Sequence, residues 1–134
     1  MILVDSNIWA YYFDASLLEH SKVVRPLEVA LKKNQVAVNA TIVIETLHYL
    51  VKRLGSLEGT KKGEVLLSYG LPFYGIDEEL VGLSLIKLSE FSHLGIGGRD
   101  ATILATMSIE EIHTLMTHDQ AFKRIPDIEV IDPI

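Results

Sequence analysis

The sequence predicts an α/β fold with a parallel-type sheet, and three observations carry that expectation. Short apolar runs of β character alternate with stretches of helical periodicity, and acidic residues recur where the apolar runs stop. The chain has 134 residues, 49% of them apolar, which suits a single domain over residues 1–134 with one core. No repeat, linker or low-complexity tract breaks the alternation, as expected for helices covering a layered sheet.

The first strand is Met1-Ile2-Leu3-Val4, which stops at three good helix-capping residues, Asp5-Ser6-Asn7, before the aromatic stretch Trp9 to Phe13. A second helix is expected over Lys22–Lys33, with Asn34 as its stop, followed by a strand from Gln35 to Asn39. Thr41 then opens a helix in which Val43, Leu47, Leu50, Val51 and Leu54 recur at helical spacing up to Gly55. Glu45, His48, Tyr49 and Lys52 share another of its faces. A shorter helix follows from Glu58 to Ser68, then a strand from Pro72 to Ile76. Asp77-Glu78-Glu79 forms an acidic first turn for a Leu-rich helix reaching Ser92. After a glycine-rich turn at Gly95–Gly98, a helix is expected from Asp100 to about Ile112, a strand over His113–Thr117 ending at Asp119, and a last strand at Ile128–Ile131.

Composition excludes several classes of function. Without cysteine there are no disulfides, thiolate zinc sites, iron–sulfur clusters or cysteine nucleophiles, so any metal must sit on oxygen or imidazole. The apolar run Ile8–Phe13 is far shorter than the roughly 20 residues of a spanning helix, so no membrane association and a cytoplasmic location are expected. The formal net charge of −6 means that overall charge does not attract nucleic acid; a local basic patch or bound cations would have to do so. The mean hydropathy of +0.28 is high for a lone domain and points to apolar surface covered by another chain.

In open parallel sheets the binding crevice lies at the carboxyl ends of the strands. Four acids stand at such exits: Asp5, Asp77, Asp119 and Asp132. Asp100 opens the helix after the glycine turn, and Glu45 lies one turn into the helix after the second strand. Carboxylates converging in one crevice raise each other's pKa and destabilise the fold unless cations bind between them. Hard Mg²⁺ or Mn²⁺ suits oxygen donors and phosphodiester chemistry. Taken singly, Asp5, Asp100 and Asp119 are equally explained as helix caps. Asp77 is better read as a cap, Asp132 as a solvated residue near the end, and Glu45 as an exposed helix residue paired with Lys52.

Val4-Asp5-Ser6-Asn7, Thr41-Ile42-Val43-Ile44-Glu45, Arg99-Asp100-Ala101-Thr102-Ile103-Leu104-Ala105 and Thr117-His118-Asp119-Gln120-Ala121-Phe122, in that order, resemble the four motifs of PIN-domain nucleases. The size is most similar to the VapC-type toxins, the ribonuclease half of toxin–antitoxin pairs. The resemblance implies a PIN-like three-layer α/β/α sandwich around a central, mainly parallel sheet of four to five strands. Strand one would lie beside strand four, bringing Asp5 and Asp119 together. It implies that Asp5, Glu45, Asp100 and Asp119 are the catalytic and metal-holding residues for Mg²⁺ or Mn²⁺, with Ser6, Asn7 and Thr117 as supporting polar neighbours. The implied activity is hydrolysis of RNA phosphodiester bonds by a metal-activated water, in a chain that also binds a cognate antitoxin. His118 carries no role in that pattern.

Lys52-Arg53 and Lys61-Lys62, with Arg99 beside Asp100, are candidates for holding RNA phosphates; they are equally well explained as solvated helix ends. Tyr11, Tyr12 and Tyr49 have the spacing of core rings as much as of base-stacking ones. The Leu-rich helix around Leu80, Leu83, Leu85, Ile86, Leu88 and Phe91 has more apolar positions than one face needs, and a homodimer is expected. The alternatives are an RNA-processing PIN nuclease outside a toxin–antitoxin pair, a nucleic-acid-binding module without catalysis, and a receiver-like module. The last lacks an acidic pair after the first strand and a lysine after the last.

Overall fold

The computed structural model describes residues 1–134. Five strands, β1 (Ile2–Val4), β2 (Val36–Asn39), β3 (Phe73–Tyr74), β4 (Thr114–Met116) and β5 (Glu129–Ile131), form one sheet in the order β3-β2-β1-β4-β5. Every pairing is parallel; Leu3 aligns with Ala37 on one side and with Leu115 on the other. The helices are α1 (Ser6–Phe13), α2 (His20–Lys32), α3 (Ala40–Ser68), α4 (Glu78–Phe91) and α5 (Gly98–Ile109). α1 packs on α2 and α3, whereas α4 packs on α5. The strand order reverses at β1, so crossovers of the usual right hand place the first group on one face of the sheet and the second on the other.

The helix ends follow local chemistry. Asn34 takes a φ of 54°, and the Gln35 amide turns back onto the Ala30 carbonyl at 3.1 Å, which is how the expected stop at Asn34 is achieved. α5 begins two residues before the expected Asp100, because the Asp100 carboxylate reaches back to the Gly97 amide at 3.2 Å and caps the first turn. It ends short of Ile112, with Glu111 at a φ of 54° and the Ile112 amide on the Met107 carbonyl at 2.9 Å. β3 is shorter than the expected Pro72–Ile76: it is an edge strand with one partner, flanked by Pro72 and Gly75. Asp77 caps α4 through the Leu80 amide at 2.9 Å, as its sequence context predicts.

α3 is two helical arms joined at Gly55, whose φ of 88° and ψ of 164° reverse the chain, so the expected stop and the separate helix after it are both present. The arms touch at glycine. A Cβ on Gly59 would stand 2.4 Å from the Leu50 carbonyl oxygen, and one on Gly63 would stand 2.7 Å from the Leu47 side chain. Alanine ordinarily stabilises a helix relative to glycine, by up to about 1 kcal/mol. Gly59→Ala is instead expected to destabilise the protein by about 1–3 kcal/mol in urea unfolding, because rigid backbone blocks the methyl. A neutral or stabilising result would show that the arms separate freely.

The core is one cluster of 25 buried apolar residues that runs from Leu3 and Val4 through Trp9, Val23, Leu27, Ile42, Ile103 and Leu115 to Phe122. No helix is long and apolar enough to cross a membrane.

Candidate active site

The sheet's switch point lies between β1 and β4, and both strands run into polar residues there. The Asp5 amide donates to the Met116 carbonyl at 3.0 Å, the last rung between the strands. Beyond it the Asp5 side chain is fully buried. One carboxylate oxygen accepts from the Ser6 amide at 2.7 Å, capping α1. The other accepts from the Thr117 hydroxyl at 2.7 Å and the Asn7 side-chain amide at 3.2 Å. The Thr117 hydroxyl accepts in turn from Asn7 at 3.1 Å and from the Asp119 backbone amide at 3.0 Å. One hydroxyl thus joins the two strand exits. Ser6, Asn7 and Thr117 hold Asp5 and the Asp119 backbone in register.

Glu45 arrives from the first arm of α3, and Asp100 from the first turn of α5. Asn39 caps α3 by accepting from the Ile42 amide at 2.8 Å, and its own amide donates to the Thr106 hydroxyl on α5 at 3.0 Å. The Thr102 hydroxyl donates to that of Thr41 at 2.9 Å. These links fix the two helix starts against each other, and with them the two acids.

Arg99 lies at the centre. Its Nη1 contacts the Glu45 carboxylate closely, donates to the Ser6 hydroxyl at 3.1 Å and stands 3.7 Å from Asp5, while Nη2 donates to Asp100 at 3.2 Å. Ser6 completes the ring by donating to Glu45 at 2.9 Å. The partner of Glu45 is therefore Arg99, not Lys52. Asp119 makes no contact with the guanidinium; one of its carboxylate oxygens caps the turn at Gln120–Arg124 through the Ala121 amide at 3.0 Å. Its charge still reaches Asp100.

The electrostatics are those of negative charge short of compensation. Burial pushes the Asp5 carboxyl above the usual range despite opposing contributions from Thr117, Arg99 and Ser6. Burial raises Asp100 as well, against the Gly97 amide and Arg99, and the nearby Asp119 adds to the rise. Both groups take up protons more readily folded than unfolded. Their ionised forms destabilise the metal-free protein at neutral pH, and stability returns as pH falls through the raised values toward the ordinary carboxylate pKa. In chelator, the thermal midpoint is therefore expected to rise on acidification from pH 7 toward pH 4. Asp100→Asn should blunt that rise; an unchanged slope in the variant would contradict it.

The donor set fits a hard divalent ion. Four carboxylates and two hydroxyls supply oxygen, with neither thiol nor imidazole among them, while Asn7 turns its amide N–H groups to Asp5 and Thr117 and its oxygen to the His118 amide. No three carboxylates or imidazoles are arranged around a common point as a ready-made ion cage. The cation among the acids is the guanidinium.

The sequence pattern of the PIN domain family matches residues 2–128. The chain belongs to the PIN domain family. Its fold is shared with VapC20 of Mycobacterium tuberculosis, a toxin that cleaves the sarcin–ricin loop, at 20% identity over 97% of this chain and 98% of that one, with a TM-score of 0.80. VapBC2 from Rickettsia felis, solved with a DNA fragment from its promoter, matches at 23% identity over 98% of both chains, with a TM-score of 0.76. A toxin–antitoxin complex from Klebsiella pneumoniae matches at 22% identity over 100% and 98%, with a TM-score of 0.77. No curated protein matches the chain. Family membership removes the receiver-like alternative, and the strand order places β1 beside β4 as the resemblance implies.

The other basic candidates of this PIN domain are spread over α3. Lys52 and Arg53 are exposed on its first arm. Lys61 pairs with Glu58 at 3.9 Å on the surface, a contact of little energetic weight. The Lys62 ammonium donates to the Phe13 carbonyl at 2.6 Å and so caps the end of α1. Tyr12 packs edge-on against Trp9, as a core ring does. Tyr11 and Tyr49 line a groove with Ser6, Asn7, Glu45 and Arg99 that opens onto the acids.

Asp132 corrects the sequence reading, which has it solvated. It accepts from the Lys123 ammonium at 2.7 Å and pairs with His118 Nδ1 at 3.0 Å. Burial would raise its carboxyl, but Lys123, the Ile134 amide and His118 together hold it down at about 2. This cluster clamps the residue between Thr117 and Asp119 to the C-terminal segment, a contact without a local sequence signal because it depends on how β5 emerges from the sheet.

Proposed function

We propose that this PIN domain is a divalent-metal-dependent endoribonuclease and the toxin of a toxin–antitoxin pair, acting in the cytoplasm as a single domain. The observation that carries the reading is the convergence of Asp5, Glu45 and Asp100, from three separate elements, on one cation at the switch point, with Asp119 alongside. Buried carboxylates raised above their usual pKa are poor structural devices and good ion ligands, which favours a site over a set of caps. The full-length fold match to toxins, one of which cleaves the sarcin–ricin loop, supports the toxin assignment.

Asp5, Glu45, Asp100 and Asp119 would hold Mg²⁺ or Mn²⁺. Bound there, the ion supplies Lewis acidity at the scissile phosphate and makes water a competent nucleophile at neutral pH. Thr117, Asn7 and the Ser6 amide fix the Asp5 carboxylate so that its free electron pairs are aimed before the substrate arrives. Water's oxygen bonds to phosphorus, the bond to the 3′ oxygen breaks, and that oxygen takes a proton, leaving a 5′ phosphate and a 3′ hydroxyl. Lys52, Arg53, Lys61 and Arg99 would bind flanking phosphates, and Tyr11 and Tyr49 line the groove that would hold a single strand.

Partners follow from exposed apolar surface. On α4, Val81, Leu85 and Ile86 remain more than half exposed, as does Phe73 on the edge strand, and this face is suited to a homodimer. A cognate antitoxin would cover the acidic groove. The test is incubation of purified protein with a mixed RNA pool, with Mn²⁺, with Mg²⁺ and with chelator, followed by mapping of the new ends. Cleavage confined to the metal arms and leaving 5′ phosphates is expected; equal cleavage in chelator, or none in any arm, would overturn the reading.

A further inference from the structure

The guanidinium at the centre of the site comes from the residue next to one of the proposed ion ligands, so it cannot diffuse away. It bridges Glu45, Asp100 and Ser6 and stands 3.7 Å from Asp5, while its side chain keeps about a third of its surface (35%) open to the groove. A planar fork that binds two carboxylates at once occupies the oxygens a divalent ion would use, with one positive charge in place of two. The two cations need the same oxygens. Both cannot hold them.

We propose that Arg99 is a tethered competitor for the divalent ion: it compensates the carboxylates when no metal is bound, and it must swing into the groove for the ion to enter. This rests on the metal-site reading above. Three features support it beyond simple ion pairing. The contacts of Arg99 are to the acids of three different elements, so it ties β1, α3 and α5 together at the point where a shared ion would. The Ser6 hydroxyl both accepts from Arg99 and donates to Glu45, so the ring closes without metal. The groove beside it, flanked by Tyr11 and Tyr49, leaves the displaced side chain somewhere to go. An ion entering such a site binds with an affinity reduced by the fraction of molecules in which the arginine has left.

The test is calorimetric titration of Mn²⁺ into chelator-treated wild type, Arg99→Gln and Arg99→Lys. Removing the competitor is expected to tighten Mn²⁺ binding on the order of tenfold in Arg99→Gln, with Arg99→Lys between the two, since lysine keeps the charge but not the fork. The metal-free Arg99→Gln protein should also melt lower, and gain more on Mn²⁺ addition, than wild type. In NMR, the Nε–H signal missing from the Arg99→Gln spectrum identifies Arg99, and saturating Mg²⁺ should move it. Mn²⁺ binding that is unchanged or weaker in Arg99→Gln, or an Arg99 signal indifferent to Mg²⁺, would overturn the competitor while leaving the metal site intact. Absence of binding in all three proteins would overturn both.

Discussion

Asp5→Asn is expected to reduce RNA cleavage at saturating Mn²⁺ by at least about a thousandfold, or about 4 kcal/mol of transition-state stabilisation, in a protein that still folds. The asparagine carbonyl can keep the cap on the Ser6 amide, so α1 has no reason to fray. What is lost is the negative oxygen held by Thr117 and Asn7 at the strand exit. The new side-chain amide NH₂ faces two donors, the Thr117 hydroxyl and the Asn7 amide, so removal of the buried charge only partly offsets the lost hydrogen bonds, and the unfolding free energy should fall by about 1–2 kcal/mol. Asp14 provides the contrast. It is also buried, but although burial works to raise its carboxyl, Ser16 and Tyr49 donate to it and, with Arg53 nearby, bring it below the usual range. That carboxylate stabilises the fold. Asp14→Asn should therefore lower the urea midpoint and spare the chemistry. Multiple-turnover cleavage and urea unfolding on both variants separate the two cases; a folded Asp5→Asn protein retaining more than about a tenth of wild-type activity would refute the assignment.

Much of this site is legible in sequence, because it is built from strand exits and helix starts. Asp5, Asp100 and Asp119 each carry a local signal: a β-type run that stops, or a capping position before an apolar helix. Glu45 has none beyond its order among the motifs, and its placement depends on Asn39 and Thr41 being bonded to α5 residues more than sixty positions away. Charge pairing was the least legible feature. Lys52 is the nearest lysine or arginine to Glu45 along the helix, yet Arg99 reaches it across the crevice. The helical arms of α3 are readable as two helices from Gly55, but their close approach is visible only when Gly59 is seen against Leu50. Sequence periodicity locates an element; it does not say which of its polar residues another element will meet.

Trp9→Ala should have the largest effect on stability, and its cause lies one residue from the chemistry. Trp9 is fully buried on the inner face of α1, stacked on Phe13 with ring centroids 6.1 Å apart, edge-on to Tyr12 at 6.3 Å and tilted against Tyr69 at 6.2 Å. Its indole N–H donates to the Val4 carbonyl at 3.1 Å, on the residue before Asp5. The side chain therefore fixes the angle at which β1 turns into α1, and with it the direction of the Asp5 carboxylate. Truncation leaves a cavity among rings that cannot collapse together, with an expected loss of about 3–5 kcal/mol. That is a large share of the roughly 5–15 kcal/mol of a typical domain. Trp9→Phe keeps most of the packing and loses the hydrogen bond, so it should cost about 1–2 kcal/mol. Because the Val4 carbonyl is then free to tilt, Trp9→Phe should also weaken Mn²⁺ binding, an effect that packing loss elsewhere in the core, such as Leu27→Ala beneath α2, should not reproduce. Urea unfolding with an unchanged m-value, combined with Mn²⁺ titration of the two variants, tests this link. A Trp9→Ala loss below about 1 kcal/mol, or equal Mn²⁺ affinities in Trp9→Phe and Leu27→Ala, would break the connection between the aromatic cluster and the acids.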